Sequence, residues 1–252
     1  MEKVMRKYLV FDCINTDTLA FNQGEIISAD KSYNLFTPED DGIEDNITNE
    51  DEEQILKLFM NSEGSRLLLS KLEISQNPFR AFSVRKPIDE NPKHSDIDLI
   101  LCEPELPQFS IGFQCKRLKI VSLNEGEDEI NKLPDIKKAV TQANKQRENL
   151  GFHRNYLIII SEIFGRKFTS ENTLFRKARP DTRQKIYDFP QRESLHDDVG
   201  IIFVEIGQPT GKSFRKQRNI CIRIDKEASR LDQTPNLTHR VRELMRFNGF
   251  TP

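Results

Sequence analysis

Two short stretches of the chain alternate polar and apolar residues so that several groups capable of chemistry come together. In the first predicted strand, Ile97–Cys102, the apolar residues share one face and Asp98 lies on the other. In the second, Ile111–Ile120, Gln114 and Lys116 share the face opposite an apolar one. If the strands pair, a carboxylate, an amide and an ammonium converge at one end of a sheet. Polar groups gathered in this way are costly unless they bind something; the competing interpretation is an ordinary solvated sheet face.

This combination of side chains suits a divalent cation bound beside a phosphate. Mg²⁺ typically takes one or two carboxylates and completes its shell with water and phosphate oxygens. Asp98 is the principal candidate ligand, and Asp96, which shares its face, is a candidate accessory carboxylate. Lys116 beside such a cation could orient a water or stabilise charge that develops on a phosphate.

The order of these residues resembles a known nuclease motif. Asp98 ahead of an apolar strand, then Gln114-Cys115-Lys116 in the next strand, is similar to the PD-(D/E)XK nuclease superfamily, and more narrowly to its Mrr-like branch, in which Gln replaces Glu in a QxK motif. With its context the resemblance spans roughly residues 50–162, under half of the chain. It implies an α/β fold with a restriction-endonuclease-like αβββαβ core, a mixed sheet flanked by helices. It also implies a Mg²⁺-dependent endonuclease that hydrolyses DNA phosphodiester bonds in restriction or phage defence, with Mn²⁺ able to substitute.

The resemblance also implies roles for individual residues. Gln114 would be a second metal ligand through its amide oxygen, and the backbone carbonyl of Cys115 a further one. Lys116 would position the attacking water or steady the phosphate charge. A helix ahead of the core often supplies an extra glutamate in this superfamily, for which Glu63 is the candidate, and Gln142 is a candidate contact from the helix that follows the motif.

The hydrophobic pattern predicts the elements that would position these residues. Pro134 near the start of one apolar-periodic segment and a glycine just past its end predict a helix at Pro134–Asn149. The nearly all-apolar run Tyr156–Ser161 predicts a strand buried on both faces. Strand, helix and strand in this order predict a crossover, so the QxK strand and Tyr156–Ser161 are expected to run parallel, with the site near the N-terminal half of the helix. The pattern also predicts strands Lys7–Phe11, Thr18–Ser28, Phe79–Val84, Val199–Ile206 and Asn219–Ile224, and helices from near Glu52, at Ser62–Leu72 and at Leu237–Phe247.

Composition restricts the class of protein. The 252 residues are 36% hydrophobic and 31% charged, which indicates a soluble globular protein. No apolar run approaches the length of a membrane span, and the N-terminal residues lack a signal-peptide core, so we expect a cytoplasmic protein without membrane association. The four cysteines are widely separated and form no CxxC pair, which argues against structural zinc. Cys102 and Cys115 are expected to be small buried apolar residues.

The net charge of −2 conceals an asymmetry that favours DNA as the partner. Residues 1–60 hold 5 Lys/Arg against 14 Asp/Glu, a charge of −9, and the remainder holds 33 against 26, a charge of +7. Nucleic-acid binding depends on local basic surface rather than on the total. We divide the chain into a β-rich appendage with an acidic connector (1–48) and a nuclease-like domain with a basic C-terminal extension (49–252). The candidate substrate-binding residues, for which solvated surface is the alternative, are Gln142, Lys145, Lys167, Arg176, Arg179, Lys212 and Arg215.

Other functions remain compatible with the same residues. A non-catalytic module of this fold could bind nucleic acid or a partner protein, because Gln114 brings no charge to offset a cation, and a homo-oligomer is also compatible. An RNA-directed nuclease would share every residue named above. No nucleotide cofactor is expected: the segment Gly207–Ser213 resembles a P-loop, but it has three residues between its glycines instead of four, and a strand is predicted after it.

Overall fold

The structure of the protein is a computed structural model. It describes residues 5–12, 33–38, 62–74, 80–84, 97–103, 105–122, 128–150, 152–165, 180–207, 217–232 and 235–247, together with Leu56, Phe59 and Leu174.

The described strands form one mixed, open sheet. In chain order they are β1 (Met5–Asp12), β2 (Tyr33–Pro38), β3 (Arg80–Val84), β4 (Ile97–Cys102), β5 (Ile111–Ser122), β6 (Asp128–Asn131), β7 (Arg154–Phe164), β8 (Val199–Gly207) and β9 (Gln217–Lys226). Their order across the sheet is β2-β1-β9-β8-β7-β5-β4-β3, and the short β6 pairs with β5 outside this path. Strands β3, β4 and β5 form an antiparallel meander, whereas β5, β7 and β8 run parallel. β1 lies parallel to β9, so the N-terminal strands extend the same sheet.

Helices flank this sheet. They are α1 (Ser62–Lys71), α2 (Leu133–Asn149), α3 (Pro180–Ile186), the short turn α4 (Phe189–Arg192) and α5 (Pro235–Phe247). The long helix α2 connects the parallel strands β5 and β7, as a crossover helix must. None of the helices in the described part of the chain combines the length and the apolar character that crossing a membrane requires.

Each face of the sheet carries its own hydrophobic core, because successive side chains of a strand point to opposite faces. On one face, Leu68 and Leu69 of α1 pack with Phe113 of β5. On the other, residues of α2 pack with Leu118 and Ile120 of the same strand. A third cluster on the α2 side joins α5 to β4; its buried members are Ile97, Ile100, Cys102, Leu150, Phe152, Val241, Leu244 and Met245.

Most predicted elements within the described residues are confirmed. The strands expected at Ile97–Cys102, Ile111–Ile120 and Tyr156–Ser161 are present, and the last two pair in parallel as predicted. Cys102 and Cys115 are buried. The helices at Ser62–Leu72, Pro134–Asn149 and Leu237–Phe247 and the strands at Lys7–Phe11, Phe79–Val84, Val199–Ile206 and Asn219–Ile224 are confirmed to within a few residues.

Three described elements were not predicted. They are β2, the polar strand β6 and the helix α3, the last of which lies inside a segment expected to be a basic loop. Strand Thr18–Ser28 lies outside the described residues, and of the helix expected from near Glu52 only Leu56 and Phe59 are described, both helical.

Candidate active site

Asp98 and Gln114 lie opposite each other on neighbouring strands. The antiparallel register of β4 and β5 pairs Leu99 with Phe113 and Ile100 with Gly112, so one step further along it brings Asp98 next to Gln114. The side-chain amide of Gln114 donates a hydrogen bond from Nε2 to Oδ2 of Asp98. The same oxygen accepts a second hydrogen bond from the backbone N–H of Cys115, with an N···O distance of 2.7 Å. Two N–H donors on one carboxylate oxygen stabilise its negative charge.

Lys116 shares the face of this pair. It follows Gln114 by two residues in β5, so its side chain points to the same side of the sheet at a separation of roughly 7 Å along the strand. Gln114 is 3% exposed, while Asp98 and Lys116 are half-buried. The carboxylate, the amide and the ammonium expected from the sequence therefore occupy one face, and two of the three keep access to solvent.

Helix α2 covers the same face, and its last turn packs against β5. A Cβ built on Gly112 would lie 2.3 Å from Nε2 of Gln146, so this amide rests directly on the glycine backbone. α2 runs antiparallel to β5, rising ~1.5 Å per residue against ~3.3 Å for the strand. Gln114 therefore lies opposite the part of the helix near Gln142. The site faces the middle of α2 and not its N-terminal half, which corrects the placement expected from the sequence.

The residues present fit a divalent cation at Asp98. The Oε1 atom of Gln114 is buried and has no hydrogen-bond partner among the described residues, and Cys115 brings its backbone within hydrogen-bond distance of the carboxylate. A carboxylate with amide and carbonyl oxygens is an acceptable donor set for Mg²⁺, which completes its shell with water. The described residues contain no cluster of three or more His, Cys, Asp or Glu that could hold a metal ion, so such a cation would depend on Asp98 as its charged ligand.

Two candidate metal ligands are not placed. Asp96 lies outside the described residues, and so does the side chain of Glu63. The helix that carries Glu63, α1, packs through its leucines with Leu99 and Phe113. That contact is made on the face opposite Asp98 and Gln114.

The candidate substrate contacts divide in the same way. Gln142 is half-buried on α2, and Lys145 is exposed on the same helix. The other candidates lie outside the described residues: Lys167, Arg176, Arg179, Lys212 and Arg215.

Sequence reasoning missed the buried polar residues around the pair. Ser110, Gln146 and Asn155 are at most 3% exposed, and the side-chain oxygen of each has no hydrogen-bond partner among the described residues. Asn155 lies beside Gly112 in the parallel register of β5 and β7. A sequence signal existed for Gln146, since it continues the helical stripe of Ala139 and Ala143.

Two buried glutamates at the ends of parallel strands were also missed, and both lie apart from the site. Glu205 accepts hydrogen bonds from the hydroxyl of Tyr187 and from the backbone N–H of Leu174, the latter at 2.8 Å. Glu162 lies 3.7 Å from the guanidinium of Arg117, on the face opposite Gln114. These contacts stabilise the fold, and the signal for them was a glutamate inside each of two otherwise apolar strands.

Comparison of the chain with protein-family models, with curated proteins and with solved structures found no match. The functional interpretation therefore rests on the residues and geometry of the site.

Proposed function

We propose that the protein is a Mg²⁺-dependent DNA phosphodiesterase, an endonuclease of restriction or phage defence with the PD-(D/E)XK fold. The observation that carries this proposal is the hydrogen-bonded pair Asp98–Gln114, with Lys116 two residues further along β5 on the same face. These are the residues of the QxK resemblance, and their side chains converge as a shared site requires.

The order of elements supports the proposal. Helix α1, the antiparallel strands β3, β4 and β5, helix α2 and the parallel strand β7 follow one another as α-β-β-β-α-β. The resemblance implies this order, with the metal-binding residues on the second and third strands of the meander.

Each residue then has a distinct task. Asp98 supplies the charged ligand, while Gln114 and the carbonyl of Cys115 supply neutral oxygens. The bound cation would provide an activated water and offset charge on the phosphate. Lys116 holds an ammonium beside the reacting phosphate, where it orients the water or stabilises the developing charge. Asp96 and Glu63 remain candidates for additional carboxylates, and Mn²⁺ is expected to substitute for Mg²⁺.

DNA is the proposed substrate because of the charge distribution. The chain after residue 60 carries +7, and phosphate contacts supply most of the sequence-independent affinity of proteins for DNA. Gln142 and Lys145 of α2, with Lys167, Arg176, Arg179, Lys212 and Arg215, are proposed to contact the backbone.

One observation favours a second candidate, a non-catalytic module that binds nucleic acid or a partner protein. The amide of Gln114 already donates to the Asp98 carboxylate. A carboxylate that accepts N–H groups from its own chain is compensated without a cation. A domain that had lost its metal would benefit from this bond.

A cleavage assay distinguishes the two candidates. Plasmid, linear duplex, single-stranded DNA and RNA are incubated with the protein in Mg²⁺, in Mn²⁺ and in EDTA. The nuclease predicts metal-dependent cleavage of DNA that a Gln114→Glu variant retains with altered rate or metal preference, because a carboxylate remains a good ligand. The binding module predicts no cleavage of any substrate in either metal, by the wild type or by the variant.

A further inference from the structure

The space between β5 and the end of α2 contains more hydrogen-bond acceptors than donors. The side-chain oxygens of Ser110, Gln114, Gln146 and Asn155 are buried and have no hydrogen-bond partner among the described residues. Ser110, Gly112 and Gln114 alternate on one face of the chain. Gln146 lies over Gly112, and Asn155 lies beside it. Buried acceptors of this kind normally find a donor or an ordered water.

The orientation of the Gln114 amide follows from its partner. An ionised carboxylate only accepts hydrogen bonds, so the NH₂ group of Gln114 must face Asp98 and its oxygen must face away. In this orientation the amide oxygen adds one more acceptor to the buried space. It is also turned away from the carboxylate, beside which the proposed cation would bind.

A half-turn of this amide would reverse both conditions. Its oxygen would then face Asp98, where a cation could be shared between the two groups. Its NH₂ group would face the buried acceptors, which lack donors. Gln146 is the acceptor best placed to receive it, because it rests on Gly112, one strand alternation from Gln114. That separation, roughly 7 Å along the strand, can be spanned directly by two glutamine side chains or with one bridging water.

We propose that Gln146 is a positioning residue for Gln114. It accepts a hydrogen bond from the Gln114 amide when that amide turns its oxygen toward Asp98 and a divalent cation. This inference rests on the proposed function, since it gives the pair Asp98–Gln114 two states, one closed on itself and one that binds the cation. Gln146 touches neither the cation nor the substrate and acts through the orientation of Gln114.

Mn²⁺ binding measured by titration calorimetry tests the proposal without relying on activity. Gln146→Met keeps the length of the side chain but removes the acceptor, and is expected to weaken Mn²⁺ binding about tenfold or more, the scale for residues that orient metal ligands. Gln146→Glu keeps an acceptor oxygen and is expected to bind Mn²⁺ at least as tightly as the wild type. Gln191→Met, which removes an exposed glutamine, is the matched control and should leave binding unchanged.

Amide NMR adds a direct measurement of the turn. The side-chain NH₂ signals of Gln114 are identified by their absence in Gln114→Glu. Saturating Mg²⁺ is expected to shift them in the wild type, because they exchange a carboxylate partner for an amide, and to shift them less in Gln146→Met.

The outcomes separate this inference from the proposed function. If the wild type binds Mn²⁺ and Gln146→Met binds it equally well, the positioning role is wrong and the nuclease proposal stands. If both Gln146→Met and Gln146→Glu weaken binding equally, the residue only packs against Gly112, and the inference is again overturned. If the wild type binds neither Mn²⁺ nor Mg²⁺, the cation site and the inference both fail.

Discussion

Gly112 is the position where a single methyl group should disturb both the packing and the site. A Cβ at this residue would lie 2.3 Å from Nε2 of Gln146, and 2.3 and 2.6 Å from two ring carbons of Phe152. Carbon atoms pack at about 3.5–4.0 Å, so in Gly112→Ala the ring and the amide must each retreat by about 1 Å or more. Phe152 has no exposed surface and is enclosed by residues of α5.

The expected cost is large for so small a change. Overpacking a close-packed core typically costs about 1–3 kcal/mol. Because two neighbours must move here, one of them fully buried, we expect about 3 kcal/mol. A domain of this size loses about 2–4 °C of Tm for each kcal/mol, so Gly112→Ala should melt about 6–12 °C below the wild type in a thermal scan. The displaced Gln146 should also weaken Mn²⁺ binding in calorimetry.

Gly200→Ala is a matched control on the opposite face of the sheet. Its Cβ would lie 2.4 Å from the ring of Tyr156 and 2.7 Å from the backbone nitrogen of Ala228. It should lower Tm by a similar amount and leave the affinity of the folded protein for Mn²⁺ unchanged. The reasoning is refuted if Gly112→Ala melts within about 1 °C of the wild type, or if the two glycine variants affect Mn²⁺ binding equally.

Two further predictions concern pH and salt. Burial, followed by the hydrogen bond to Glu227, raises the pKa of Tyr156 from 10.0 to about 12, so the stability that depends on its neutral phenol is complete below pH 10 and is lost as the pH rises toward 12; Tyr156→Phe should lack this share of the alkaline fall in Tm, and equal pH slopes would contradict the assignment. Neutral substitutions at Lys167, Arg176 and Arg179 should flatten the log–log salt dependence of DNA binding by about one unit for each phosphate interaction that they remove, whereas Lys137→Gln on α2 should not; an unchanged slope in the triple variant would mean that these residues are only solvated.

The strands that form the site could be predicted because their residues alternate. Asp98 and Gln114 interrupt apolar patterns of period two, which gives the face of each side chain, and the motif order gives the pairing of the strands. Helix α2 was predictable from its apolar stripe and from Pro134 near its start. The parallel pairing of β5 and β7 followed from the crossover that this helix makes.

Other elements left weaker signals in the sequence. Strand β6 reads Asp-Glu-Ile-Asn, residues of mostly low strand propensity, and forms because β5 offers an edge to pair with. Helix α3 begins with Pro180, which is acceptable at the first helical position, but the surrounding basic residues suggested a loop. Tertiary contacts decide both cases.

The finer arrangement of the site depends on proximity, which one sequence does not encode. Gly112 carries no sign that Gln146 and Phe152 approach its backbone. The excess of buried oxygens around Gln114 becomes visible only when burial is known. The direction of the Gln114 amide follows from its hydrogen bond to Asp98 and could not be read from the QxK spacing.

The most direct test of the nuclease proposal is the rate of plasmid cleavage in Mg²⁺ by the wild type, Asp98→Ala and Lys116→Ala. Asp197→Ala and Lys137→Ala, which change exposed residues of the same types, serve as controls. We expect both site variants to lose roughly two to four decades in rate, the scale for removing one preorganised electrostatic partner, while the controls cleave normally and all variants remain folded by thermal melting. A wild-type protein that cleaves no DNA in Mg²⁺ or Mn²⁺, or site variants that cleave at the wild-type rate, would contradict the proposal.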